Sequence, residues 1–265
     1  MSIFKYDFIM KSFAAGILIA LSIPLIGTIM VCRKSSNLGD ALSHSALAGV
    51  AFGLIISINP VVGSIISCLI ASLFIDFLRK KFPKNADMAI AIVTSLGVGL
   101  AAVLSDFTPG SKNLNSFLFG SIAAISNMEL AIVGVITFFV IFLYLKYYTG
   151  IVYIIFDEKI AELTDLPVRR LDFMITILTA LSIGMGSRIV GVLTISSLMI
   201  LPVAGAIKLS NSFKKTVILS VVLGVLYVVL GLLTSFYLSL KPGGSIAIIG
   251  VIALLLILII KKDNN

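Results

Sequence analysis

The chain has 265 residues, of which 59% are apolar and 12% charged, where an ordinary soluble domain carries about 25% charged residues. With a mean hydropathy of +1.18, this composition excludes a soluble globular protein and defines a polytopic membrane chain. The net charge of +8 does not point to nucleic acid, because the basic residues sit between apolar runs and form no patch interleaved with aromatics.

A helix needs about 20 apolar residues to cross a hydrocarbon layer of about 30 Å. That window predicts nine spans, at 8–31, 36–58, 60–78, 87–105, 128–147, 171–187, 190–207, 216–238 and 244–260. No polar stretch is long enough to build a separate core, so residues 1–265 read as a single transmembrane domain. The first span follows Lys5 and Lys11 and ends at Arg33-Lys34 without a small-x-small cleavage site, so it reads as a retained helix. Cys32 and Cys68 are too few and too far apart for a disulfide framework or a zinc knuckle and read as small packing residues.

The second span organises the rest, because it carries the chain's one histidine, His44, four residues after Asp40. On a helix that spacing brings two Cβ atoms within about 5–6 Å on one face. An acidic residue in a membrane span costs at least about 2.5–3.5 kcal/mol, which makes an intramembrane ionisable residue a functional candidate by default. Carboxylate plus imidazole is a ligand pair suited to zinc, iron or manganese, with Asn37 and Ser43 as minor candidates. The competing reading is a polar pair that only ties two transmembrane helices together. The same span continues as Gly49-Val-Ala-Phe-Gly53, a small-xxx-small spacing that lets another helix approach closely. Gly97 with Gly99, Gly184 with Gly186, and Gly224 with Gly231 read as packing positions in the same way.

Asn59-Pro60 and Pro109-Gly110 are turns. Residues 114–127 are expected to form a short outer-side or re-entrant helix, since one more crossing would reverse every later loop. Residues 156–170 hold four acidic and three basic residues with Ile160 and Leu163 at helical spacing, which suits an amphipathic surface helix or a solvated loop. Pro202 is expected to interrupt a helix, with a turn at Ser210-Asn211. Alternating the nine spans puts fifteen of the 20 Lys and Arg residues on one side and Lys5, Lys11, Lys112, Arg188 and Lys241 on the other. By the positive-inside rule the C-terminus is then cytoplasmic and the N-terminus outside.

No Gly-x-x-x-x-Gly-Lys-[Ser/Thr] loop occurs, so the chain does not cradle nucleotide phosphates by that route. Nor is there a Gly-x-Ser-x-Gly or His-Glu-x-x-His motif, and an intramembrane enzyme using Asp40 and His44 as acid and base lacks a nucleophile.

Leu38-Gly-Asp-Ala-Leu-Ser-His-Ser-Ala-Leu-Ala-Gly49, preceded by Arg33, resembles the signature of the permease subunits of zinc- and manganese-type ABC importers. Phe119-Gly-Ser-Ile-Ala-Ala-Ile-Ser126, Phe156-Asp-Glu-Lys-Ile-Ala161 and Val190-Gly-Val-Leu-Thr-Ile-Ser-Ser-Leu-Met-Ile-Leu-Pro-Val-Ala204 resemble further segments of that family in the same order. The resemblance implies an all-α polytopic fold of eight or nine spans, similar to the cobalamin and siderophore importer permeases. It implies a prokaryotic plasma-membrane homodimer that works with two cytoplasmic ATP-binding subunits and an extracytoplasmic metal-binding protein. The chain would itself be no enzyme and hold no permanent cofactor, its metal being the transported ion, with Asp40 and His44 matching the in-channel site. Contact with the ATPase would fall on Asp157, Glu158 and Ala161 and on Ala204, Gly205 and Lys208. One Asp/His pair supplies two ligands where a tetrahedral ion takes four, and a twofold axis along the pore would bring the second pair. The alternative is a proton-coupled secondary metal transporter in which Asp40 and His44 carry protons; such carriers usually show an internal repeat, and none is clear here.

Overall fold

A computed structural model describes residues 7–82, 85–108, 112–121, 125–156 and 167–262, and all its described regular structure is helical. In chain order the helices are α1 (Asp7–Cys32), α2 (Asn37–Ile55), α3 (Pro60–Lys81), α4 (Ala86–Phe107), α5 (Lys112–Phe119), α6 (Asn127–Lys146) and α7 (Tyr148–Phe156). They continue as α8 (Val168–Gly186), a π turn at Ser187–Gly191, α9 (Val192–Leu209), α10 (Phe213–Leu238) and α11 (Pro242–Lys262). Seven of these, α1 to α4, α6, α10 and α11, are long and apolar enough to cross a membrane. The remaining two expected spans fall on α8 and α9, of 19 and 18 residues, each somewhat under 30 Å at 1.5 Å per residue.

α1 is apolar on every side, which places a helix in an interior. Ile9, Ile19, Ile23, Ile26 and Ile29 are all buried, and α1 packs against α6, α8, α9 and α10. Pro24 lies inside this helix and deprives the Ala20 carbonyl of its helical donor. Gly224 of α10 sits against that carbonyl and the Pro24 ring, so the break is covered by close packing. Ser22 and Thr28 return their hydroxyl groups to the Ile19 and Leu25 carbonyls at 3.2 and 2.7 Å, which satisfies them in an apolar surrounding.

The helix ends sort onto two sides. Arg33, at the end of α1, donates to Asp172 near the start of α8 at 2.6 Å. At the same end, Lys261 donates to the Lys208 carbonyl, and Ser210 pairs with Thr216 at 2.6 Å. At the opposite end, α5 packs on the π turn, and the start of α11 at Gly243 lies against the Phe119 and Val190 carbonyls.

The short helix expected within 114–127 lies at 112–119: α5 is eight residues long, about 12 Å and too short to span. The amphipathic segment read at 156–170 falls for the most part at 157–166, outside the described residues. Between α8 and α9 the sequence suggests only a tight connection. The backbone instead continues through a π turn into Gly191 at φ 92°, a conformation that favours glycine. A side chain at Gly191 would also strike the Phe119–Gly120 backbone.

One expectation is corrected. Pro202 does not interrupt its helix, because α9 runs unbroken from Val192 to Leu209 with Pro202 inside it. The lost hydrogen bond falls on the carbonyl of Leu198, within a well-packed helix that the surrounding contacts hold together. The helix ends later, where Ser210 and the N-cap Ser212 turn the chain into α10, as the Ser210-Asn211 turn predicts.

Candidate functional site

α2 starts after the turn that follows Arg33 and is packed on nearly its whole circumference. Its uncovered positions over the first three turns are Asn37 and Asp40, exposed, and His44 and Leu47, half-buried. These lie three, four and three residues apart and therefore share one face. A helix that buries Leu38, Ala41, Leu42, Ala46 and Val50 thus leaves open a stripe headed by Asn37, Asp40 and His44. Ser43 is buried with no hydrogen-bond partner on its hydroxyl and lies off this stripe.

Three neighbours hold α2 in place. From α3, Ser67 donates to the Ser45 carbonyl at 2.7 Å and Cys68 to the Leu42 carbonyl at 3.3 Å. The two helices touch backbone to backbone where Gly49 meets Gly63, with Gly53 beside the same contact. This is the close approach that the Gly49/Gly53 spacing predicts, and its partner carries the matching small-xxx-small spacing in Gly63 and Ser67. From α4, Gly97 lies against the backbone of His44 and Ser45, so that an added Cβ would stand 2.9 Å from the Ser45 nitrogen and 3.1 Å from the His44 carbonyl carbon. From α9, Met199 fills the space against Gly39. Beyond His44, Phe117 of α5 packs on Val50 and Ala51 in the C-terminal half of α2.

The site inside one chain is incomplete. Among the described residues no group of three or more His, Cys, Asp or Glu side chains converges on a point where an ion could sit. Asp40 and His44 make no ion pair with any described residue, whereas Arg33 pairs with Asp172. The polar-pair reading requires a partner on a second helix of the same chain, and none of the described side chains bonds to either residue. Asp40 and His44 therefore stand side by side on an open face of α2, with α3, α4 and α9 packed behind them.

The second set of candidate residues is divided. Asp157, Glu158 and Ala161 lie outside the described residues. Ala204, Gly205 and Lys208 occupy the last two turns of α9: Ala204 is half-buried, Lys208 exposed, and Gly205 buried against Leu223 of α10 and Ile257 of α11. Sequence reasoning read Gly97 as a packing position without saying what it meets, and it missed the Arg33–Asp172 pair. The available signal for the pair was an acidic residue at the head of an apolar span.

Gly97→Ala tests the clamp. Its methyl group would meet α2 backbone, which cannot swing aside as a side chain can, so α2 must shift by a few tenths of an ångström at His44. The expected result is transport reduced on the order of tenfold, the loss that follows misplacement of a ligand's support, with the amount of folded protein in the membrane unchanged.

Among the described residues the fold is a helical bundle in which seven helices are long and apolar enough to cross a membrane, with an open polar stripe on α2, the architecture of a membrane permease. The chain belongs to the ABC 3 transport family, whose model matches residues 5–261. It is similar to a probable metal transport system membrane protein of Treponema pallidum, 34% identical over 254 residues with 96% of both chains covered. It is similar also to the manganese transport system membrane protein MntC of Listeria monocytogenes, 28% identical with 94% of this chain and 89% of the relative covered. The high-affinity zinc uptake system membrane protein ZnuB of Haemophilus influenzae is 27% identical, with 92% and 94% covered. Among solved structures, PsaBC from Streptococcus pneumoniae in complex with Fab matches with a TM-score of 0.87 at 26% identity, covering 96% of this chain and 92% of that one.

Proposed function

We propose that this chain forms the translocation path of an importer for a divalent transition metal, manganese or zinc, with Asp40 and His44 as transient ligands. The observation that carries the reading is the open Asp40/His44 face of α2 in a family whose relatives bear the names of manganese and zinc transport systems. Asp40 and His44 of two permease copies, related by a twofold axis along the pore, supply the four ligands that a tetrahedral ion takes. Binding of this kind must be strong enough to admit the ion and weak enough to release it.

The full importer on this reading contains two permeases, two cytoplasmic ATP-binding subunits and an extracytoplasmic metal-binding protein. Residues 1–265 act as one transmembrane domain in a prokaryotic plasma membrane, with the Lys- and Arg-rich helix ends, including those of α9 and α11, on the cytoplasmic side. The exposed end of α9 at Lys208, together with Asp157, Glu158 and Ala161, meets the ATPase, and Gly205 serves the packing that holds that end in place. A proton-coupled carrier is disfavoured by membership of an ABC transport family.

The test is uptake into proteoliposomes that hold the permease with its ATPase, with metal-loaded binding protein outside. ATP inside is expected to drive accumulation of radioactive manganese or zinc, and one ion should compete out the other when both are ligated by the same pair. Uptake that proceeds without ATP and follows a proton gradient would overturn the reading.

A further inference from the structure

Between α6 and α10, over α1, lies a lateral cleft of about 620 Å³. α1 supplies its floor through Leu25, and Tyr144, Tyr148, Ile218 and Val222 line its walls, with Lys214 at one end. Apart from the two tyrosines and that lysine the lining is apolar. The Tyr144 hydroxyl is already paired with Thr28 at 3.3 Å, so the floor offers no free polar group. At the Lys214 end stands an aromatic cluster in which Phe213 lies 6.2 Å from Tyr148 and 6.0 Å from Phe156. From Lys214 to Val222 the cleft follows eight residues of α10, about 12 Å along the helix axis.

We propose that this cleft binds an anionic phospholipid of the cytoplasmic leaflet, one acyl chain lying between α6 and α10 and the phosphate meeting Lys214. Basic pockets between transmembrane helices on the cytoplasmic side are suited to lipid headgroups, and tyrosine rings belong at the same headgroup level. The depth and the apolar walls match a hydrocarbon chain that enters from the bilayer, while the cation at the mouth selects the charge of the head. Ile218 and Val222 are about half exposed on the rim, so the cleft opens sideways, where lipid is the solvent. This rests on the proposed placement of Lys214 on the cytoplasmic side and of the second permease against α2. α2 packs on α3, α4, α8 and α9, whereas the cleft is built from α1, α6 and α10, none of which packs substantially against α2.

The experiment is native mass spectrometry of the full-length permease released from nanodiscs of equimolar phosphatidylglycerol and phosphatidylcholine. Wild type is expected to retain phosphatidylglycerol over phosphatidylcholine by about fivefold, the preference that one lysine near the membrane surface supplies. Lys214→Gln should keep a bound lipid and lose the preference, and Ile218→Trp, which fills the mouth, should lose the lipid altogether. Thermal melting of each variant at the wild-type temperature verifies that the change is local. Equal retention of the two lipids by wild type, or the same preference in Lys214→Gln, would overturn the site. So would an Ile218→Cys variant that cross-links to a second permease, since the cleft would then be a protein interface. None of these readouts involves metal: the lipid outcomes leave the transport reading untouched, only a cross-link at Ile218 would count also against a second permease at α2, and failure of metal uptake leaves this site standing.

Discussion

Asp40→Ala and His44→Ala are each expected to lower metal uptake on the order of a hundredfold while leaving assembly and membrane insertion of the complex unchanged. The magnitude follows from ligand loss: disturbing the support of a metal ligand alone costs about 10–100-fold, and removal of the ligand stands at the upper end or beyond. The unchanged assembly follows from the structure, because Asp40 is exposed and His44 half-buried on the one open face of α2. Neither residue anchors α2, which is held by Ser67, Cys68, Gly63, Gly97 and Met199 from three other helices. The conservative variant sharpens the test. His44→Cys replaces imidazole with thiolate, a softer ligand that zinc accepts more readily than manganese, so zinc uptake should outlast manganese uptake. Radioactive uptake in cells, with the permease quantified by immunoblot, makes the comparison. Uptake that survives both alanine variants would return Asp40 and His44 to the role of structural polar residues and send the search for the ion path elsewhere.

The second large effect is expected at the crossing of α2 and α3. Gly49→Val and Gly63→Val should each lower stability by about 3 kcal/mol, the upper end of the usual cost of overpacking, and read out as a fall in melting temperature and in folded yield. A Cβ at Gly49 would overlap the Gly63 carbonyl and stand 2.5 Å from the Ser67 Cβ, and one at Gly63 would stand 2.5 Å from the Gly49 carbonyl oxygen. Both obstacles are backbone, so neither can rotate out of the way. In a bilayer, helices associate through close packing and interhelical hydrogen bonds, and separation here would also loosen the Ser67 and Cys68 bonds that hold α2. Gly99→Val is the matched control: nothing lies within 4 Å of a Cβ there, and its stability should stay within about 0.5 kcal/mol of wild type. Equal melting temperatures for all three variants would show that α2 and α3 are free to separate.

Much of the architecture was legible along the chain. Composition dictated a membrane bundle, and a 20-residue apolar window located α1, α2, α3, α4, α6, α8, α9, α10 and α11, because in hydrocarbon the backbone must satisfy its own hydrogen bonds and a helix does so locally. The pair at Asp40 and His44 stood out for the same reason: ionisable groups are costly in a span, and a four-residue spacing puts them on one face whatever the tertiary fold. The Gly49/Gly53 spacing likewise announced a close helix contact without saying with what.

What the sequence could not decide was which face of each helix is covered. α2 reads as apolar nearly throughout, and only its packing against α3, α4 and α9 makes Asn37, Asp40 and His44 the side left open. Gly63, Gly97 and Gly99 look alike in the chain, yet one meets a backbone carbonyl, one the backbone beside His44, and one open space. Pro202 shows the same limit, since local chemistry argues for a break and the packed bundle keeps α9 continuous. The residue pattern determined that this chain is a helical membrane protein with an Asp/His pair in its second span. The tertiary structure alone decided where that pair faces, because burial is a property of neighbours distant in sequence, and those neighbours meet only when the bundle closes.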